Sequence, residues 1–219
     1  MDRITEAFVW PARDPEWIVK LLIIGLISLI PIVGAINGIG WMLASLDRIR
    51  AGDERLAPAN FSHLARGVRV FVVELVYALV IVAIGAAFYI PGLLIAVRQG
   101  HDGGSPSLIG VAILLNLVAF GLVTLGSLVY TFALPAFILA TDAGGIAAGL
   151  RVGEVVRRCR LNPINTLIAG LMLVAASFIG SLGAIVCGIG VIFTAAYALA
   201  MQAWIIRSFE LGSTAPQVE

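Results

Sequence analysis

The sequence predicts an all-α polytopic membrane protein: four full spans, an N-terminal re-entrant (or kinked single-span) helix pair, and an interfacial amphipathic helix. Composition is the first reason. Of 219 residues, 60% are hydrophobic and only 12% charged, with a mean hydropathy of +1.04. A soluble domain is normally about 25% charged. The second reason is the stretch 165–206, 42 residues without a charge. One helix of that length would rise about 63 Å at ~1.5 Å per residue. A bilayer core is ~30 Å thick and is crossed by about 20 residues, so the stretch is right for two crossings. Arg157, Arg158 and Arg160 precede it and Arg207 follows. Arginine collects on the cytoplasmic side, so both ends face one compartment and a turn falls among Gly183, Gly188 and Gly190. That hairpin gives spans at about 164–184 and 187–207.

From the start of the chain, residues 1–17 mix charges with Ile4, Phe8, Val9, Trp10 and Trp17, the composition of a segment on the membrane surface. The run is too polar for a signal peptide. Asp14-Pro15-Glu16 reads as a helix start, with Asp14 as cap and Pro15 at the first helical position. The apolar stretch 18–46 is too short for two crossings and is broken by Pro31, Gly34, Gly38 and Gly40. Either it is one kinked span, or it re-enters and turns at 30–34. The re-entrant form places 13 of the 14 Lys and Arg inside, against 10 for a single span, and the positive-inside rule favours it. Both termini are then cytoplasmic.

A basic loop, 47–63, carries a Gly52-Asp53 turn signal and Pro58. The next spans, about 68–92 and 108–134, are joined by the Gly- and Ser-rich segment RQGHDGGSPS. Pro91 ends the first, and Pro135 breaks a third apolar stretch too long for one perpendicular crossing. Residues 144–160 form an amphipathic surface helix. Ile146, Leu150, Val152, Val155, Val156 and Cys159 make its apolar face, and Arg151, Glu154, Arg157 and Arg158 its polar one. Asn162-Pro163 starts the hairpin. Residues 1–211 read as a single membrane-embedded domain and 212–219 as a disordered tail.

Little in the chain promises chemistry. Glu74 is the one carboxylate inside a proposed span, which makes it a site candidate. Arg66 and Arg69 lie two turns and one turn before it, so an interfacial or neutralised Glu is the simpler interpretation. Asn116 and the scattered hydroxyls fit interhelical hydrogen bonding. Arg151, Arg157 and Arg158 are candidates for anionic lipid headgroups. Helix breaks are assigned to Pro31, Gly34, Pro91, Pro135 and Gly188, and such breaks can build a transport site. Cys159 and Cys187 fall on opposite sides of a span and cannot pair. With His63 and His101 as the only histidines, no metal spacing exists. The net charge of +1 gives no sign of nucleic-acid binding. No cofactor is expected.

Two segments carry a family resemblance. DPEWIVKLLIIGLISLIPIVGAINGIGWMLASLDRIRAGDERLAP joins an apolar LIPIxG motif to a basic stretch, a Gly-Asp and a Leu-x-Pro. VGEVVRRCRLNPINTLIAGLMLVAASFIGSLGAIVCGIGVIFTAAYALAMQAW has the Arg-rich helix, the Asn-Pro, the SLG…CGIG turn and FTAAYA. Together they resemble the prokaryotic integral-membrane family "domain of unknown function 4013". The resemblance implies a membrane fold and no catalytic or binding residue. The layout is also similar to the membrane modules fused to some bacterial glycerophosphodiesterases, whose catalytic barrel has no counterpart here. The functional expectation is a non-enzymatic scaffold or accessory subunit of the cytoplasmic membrane. Its partners would be the bilayer, anionic lipids, and a second copy or another membrane protein. A small transporter or channel on broken helices is the alternative, and an intramembrane lipid-modifying enzyme a distant third.

Overall fold

In the computed structural model the described residues are 2–101, 105–183 and 190–214; they are 89% helical with no strand. The helices are α1 (Asp2–Val9), α2 (Trp17–Ser28), α3 (Val33–Arg50), α4 (Leu64–His101), α5 (Pro106–Gly149), α6 (Val152–Leu161), α7 (Pro163–Leu182) and α8 (Gly190–Thr214). Four of them, α4, α5, α7 and α8, are long and apolar enough to cross a membrane. The fold is that of a polytopic helical membrane protein. Contacts divide the chain into two compact units, residues 1–73 with 132–219, and residues 74–131.

In the first unit α8 is the central element, packing on α1, α2, α3 and α7. Ala196, Ala200 and Ala203 are fully buried on it, and small residues let apolar helices approach closely without a large hydrophobic drive. Its partner α7 starts at Asn162, whose side chain accepts the Asn165 N–H at 3.0 Å, with Pro163 at the first position. Thr194 Oγ1 donates to the Gly180 carbonyl (2.8 Å), Asn165 Nδ2 to Phe209 (2.9 Å) and Asn162 Nδ2 to Gly212 (3.1 Å). Each pair adds to the same total in residue number, which is the register of an antiparallel hairpin. The hairpin expected from 165–206 is present. Its turn, with Gly188 and Cys187, lies outside the described residues.

The expected break at Pro31 separates α2 from α3, with Ile32 at φ +63°. Gly34 sits just inside α3, where a Cβ would lie 2.2 Å from the Ile27 carbonyl oxygen of α2. The 12 residues of α2 rise only ~18 Å. Its beginning is tied to the chain just beyond α3: Arg13 pairs with Glu54 at 2.7 Å, and Asp14 accepts the Leu56 N–H at 2.8 Å. The pair is therefore a short helical hairpin with adjacent ends. Around it α1 and a 3-10 turn (Trp10–Arg13) are held down, with Ala7 and Trp10 buried and the Tyr197 hydroxyl donating to the Phe8 carbonyl.

Several boundaries differ from the sequence expectation. Asp14 does not cap α2, which begins at Trp17; its carboxylate bonds the Glu16 N–H at 2.8 Å and turns to other partners. Helical structure runs through both Pro91 and Pro135, so neither breaks its helix. A membrane helix tolerates the freed carbonyl where neighbours or local adjustment satisfy it. The deviation in α5 comes instead at Gly145 (φ +74°, ψ −172°), a backbone region essentially reserved for glycine. The stretch 144–160, expected as one helix, is therefore divided: residues 146–149 follow the kink in α5, and α6 covers Val152–Leu161. Helix α7 ends at Leu182, short of the expected 184, whereas α4 and α5 overrun the spans read from hydropathy at both ends. Likewise α8 extends to Thr214, past the expected tail start at 212; residues 215–219 lie outside the described set.

In the second unit α4 and α5 run antiparallel. A Cβ on Gly85 would meet Val123, one on Gly92 would meet Asn116 and Ala112, and one on Gly126 would meet Ile81. Most other side chains of this hairpin are exposed, Phe120 by 73% and Leu117 by 62%.

Candidate functional site

Charged side chains of the first unit gather where four helices end. Asp47 and Arg50 come from the last turns of α3, Arg66 from the first turn of α4, Asp142 from the last turns of α5, and Arg207 and Glu210 from α8. Arg50 makes a two-pronged contact with Glu210 (Nε–Oε2 3.1 Å, Nη2–Oε1 2.9 Å). Its Nη1 reaches both Asp47 and Asp142 at 3.1 Å. Arg66 grips Asp142 through Nε (3.0 Å) and Nη2 (2.8 Å) and also pairs with Asp47. Arg207 completes the set on Glu210 at 2.7 Å. Burial alone would raise the Asp47 carboxyl, but the Arg66 and Arg50 hydrogen bonds outweigh it and hold it below its ordinary value. Three guanidinium groups thus neutralise three carboxylates, with planar forks matched to carboxylate geometry. Such a cluster fastens helix ends.

A second fastening holds the loop after α3. Polar side chains recur every fourth residue along that helix, on one face. Asn37 Nδ2 donates to the Asn60 carbonyl (2.9 Å), Trp41 Nε1 donates to Ala57 (3.0 Å), and Ser45 Oγ accepts the Ala57 N–H (3.2 Å). The basic loop is therefore laid back along α3. Where it meets the N-terminus, Asp14 is only 1% exposed and its Oδ2 takes Lys20 Nζ at 2.7 Å. Burial pushes the Asp14 carboxyl up, and bonds from Lys20 and the Glu16 and Leu56 N–H groups outweigh it, leaving the group below 3.8. A depressed folded value stabilises above the unfolded value, and that share disappears as pH falls through the folded one. Asp14→Asn is expected to cost about 2 kcal/mol near neutrality. The gap to the native protein should close below about pH 4, as read from thermal midpoints in detergent at several pH values.

Beside the helix-end cluster runs a groove of about 490 Å³, whose lining includes Leu139, Leu161 and Phe209 together with Arg50, Arg157 and Arg158. Of the headgroup candidates, Arg157 and Arg158 line it; both pair with Glu154, at 2.8 and 3.2 Å. Arg151 does not line it and stands exposed just before α6. On α6 Val155 is buried, while Val152 and Val156 are exposed beside the arginines. Glu74 is half-buried on α4 and forms no ion pair among the described residues. Arg66 is committed to Asp47 and Asp142. Asn116 Nδ2 donates to the Ala112 carbonyl one turn back, at 2.8 Å. Glu74 and Asn116 lie in the second unit, and Arg157 and Arg158 in the first. No group of three or more His, Cys, Asp or Glu among the described residues is placed to hold a metal.

The sequence reading missed Asp47, Asp142 and Glu210 altogether. Their signal was weak, being single acids at the ends of apolar stretches, with Asp47 and Glu210 close to arginines that read as ordinary positive-inside residues. A stronger signal, the Asn37, Trp41 and Ser45 spacing inside an apolar stretch, was legible and passed over.

A family model described as "Protein of unknown function (DUF4013)" matches residues 23–206. No curated protein and no solved structure matches the chain.

Proposed function

Because the chain belongs to that family of unknown function, we propose from its geometry that it is a non-enzymatic scaffold or accessory subunit of the cell membrane. In this reading both termini are cytoplasmic and the α2–α3 hairpin re-enters. The helix-end cluster supports the topology, since it draws the ends of α3, α5 and α8 and the start of α4 to one place. Asp14 adds the start of α2 to the same end. Helix α6 would lie in the interface, with Arg151, Arg157 and Arg158 toward anionic headgroups and Val152 and Val156 toward acyl chains.

The scaffold role rests on the α4–α5 hairpin. In its most apolar windows only 17% and 11% of residues are buried, against 33% and 39% for α7 and α8. Such a hairpin offers broad apolar faces to lipid or to partner helices. The charged groups of the helix-end cluster, by contrast, are taken up by one another. Of the proline breaks that a transporter would use, only Pro31 interrupts a helix among the described residues, because α4 and α5 stay helical through Pro91 and Pro135.

Photo-crosslinking in cells tests the role. A photoreactive residue at Phe120 should capture a second copy or another membrane protein, whereas one at Ala119, 3% exposed, should capture little. A strictly monomeric protein with no crosslink at Phe120 would overturn the scaffold reading. An N-terminal tag reached by an impermeant reagent in intact cells would overturn the topology separately.

A further inference from the structure

A cleft of about 310 Å³ opens between the N-terminal segment, the turn after α3 and the end of α8. Glu6, Asp53 and Glu54 line it, with Trp10, Trp204 and Arg207. We propose that this cleft binds the headgroup of a zwitterionic amine phospholipid, its ammonium among the carboxylates beside Trp204 and its phosphate toward Arg207 and Trp10.

The charges in the cleft do not cancel as they do in the helix-end cluster. Asp53 is met by Arg48 at 3.2 Å. Arg13 is shared, 2.7 Å from Glu54 but 3.9 Å from Glu6. Among the described residues two arginines thus serve three carboxylates, which leaves one negative charge in excess, a site for an ammonium group. The half-buried Trp204 supplies an indole wall, and its ring lies 6.1 Å from that of Trp10. Indole faces attract ammonium ions, most strongly when water is excluded.

The second observation is the opposite chemistry in the same cleft. Trp10 is wholly buried, and its indole N–H has no acceptor among the described residues. Buried donors are nearly always satisfied, and a phosphate oxygen is an acceptor of the right kind once entry of the headgroup uncovers this N–H. Arg207 uses Nη1 on Glu210, and its fork carries further donors. A ligand with both an ammonium and a phosphate answers both halves, whereas a purely anionic headgroup would face the carboxylates. The size matches the lower end of small-ligand sites, about 300 Å³. Leu211, 40% exposed at the rim, offers an apolar exit for acyl chains.

The test uses the full chain in detergent, observed by native mass spectrometry with equal amounts of phosphatidylethanolamine and phosphatidylglycerol. Retention of the ethanolamine lipid is expected to exceed that of the glycerol lipid by about fivefold, and Glu6→Gln should remove most of the preference. Trp204→Leu should do the same; because Trp204 also packs on Trp10, its folding is verified by gel filtration, and Glu6→Gln decides if it fails. Free phosphoethanolamine forms a second arm. Stabilisation by it without lipid retention would keep the amine–phosphate chemistry and assign a soluble source. Equal retention of the two lipids with no effect of phosphoethanolamine, or a preference unchanged in Glu6→Gln, would overturn the proposal.

Discussion

Replacing Gly25 by alanine is expected to destabilise the protein by about 3 kcal/mol, against the usual direction for a helix. In an open helix the same change stabilises by up to about 1 kcal/mol, because glycine loses the most backbone entropy on ordering. The sign is reversed here by a close crossing. A Cβ on Gly25 would sit 1.9 Å from the Ile192 carbonyl oxygen and 2.6 Å from its carbon. Those are backbone atoms of α8, so no side chain can rotate away, and α2 must separate from α8. Part of what would be lost is aromatic: Trp17 meets Phe193 edge-on at 5.6 Å and Tyr197 at 6.4 Å. Gly110→Ala is the control, since nothing lies within 4 Å of its Cβ position; it should be neutral or slightly stabilising. Reversible unfolding in detergent would decide. If Gly25→Ala matched Gly110→Ala, α2 would not be packed on α8 as described.

What the sequence made legible was set by the bilayer, and what it hid was set by pairing between distant residues. Stretch 165–206 could be read because its length and flanking arginines leave one solution, and Asn162-Pro163 marked its start by ordinary capping chemistry. Pro31 was read correctly, since it comes with an outright turn at Ile32. Pro91 and Pro135 were misread by the same local rule, because a membrane helix surrounded by apolar neighbours continues where a soluble one would stop. Gly145 was overlooked beside Pro135, although only a glycine could adopt its conformation.

The candidate site was the least legible part. Arg50 and Arg66 look like ordinary positive-inside residues, and their number does mark the helix ends correctly. Asp47 lies within helical spacing of Arg50, but the partners Glu210 of Arg50 and Asp142 of Arg66 lie 160 and 76 positions away, and no spacing rule reaches that far. Asp14 shows the same limit at shorter range. It carries the right residue type for a cap, yet Lys20 and the Leu56 N–H compete for its carboxylate. Local chemistry identified the residue as important and named the wrong partner.

The helix-end cluster makes the second strong prediction. Arg50→Ala should cost about 2 kcal/mol, at the low end of the range for breaking a hydrogen-bonded charge pair. The low end applies because Arg50 is 27% exposed and Glu210 26%, so water recovers part of the lost interaction. Glu210→Gln should cost less, since Gln still accepts from Arg50 and Arg207. The decisive quantity is the coupling between the two. If Arg50 and Glu210 act through each other, the double variant should be about 1 kcal/mol less destabilised than the sum of the single ones. Arg151→Ala supplies the contrast, being exposed and outside the cluster; its stability should stay within about 0.5 kcal/mol of the native protein. An additive double variant would mean that Arg50 is held by Asp47 and Asp142 alone. In that case α8 would not be fastened to α3 through this pair, and the common placement of the helix ends would lose its main physical cause.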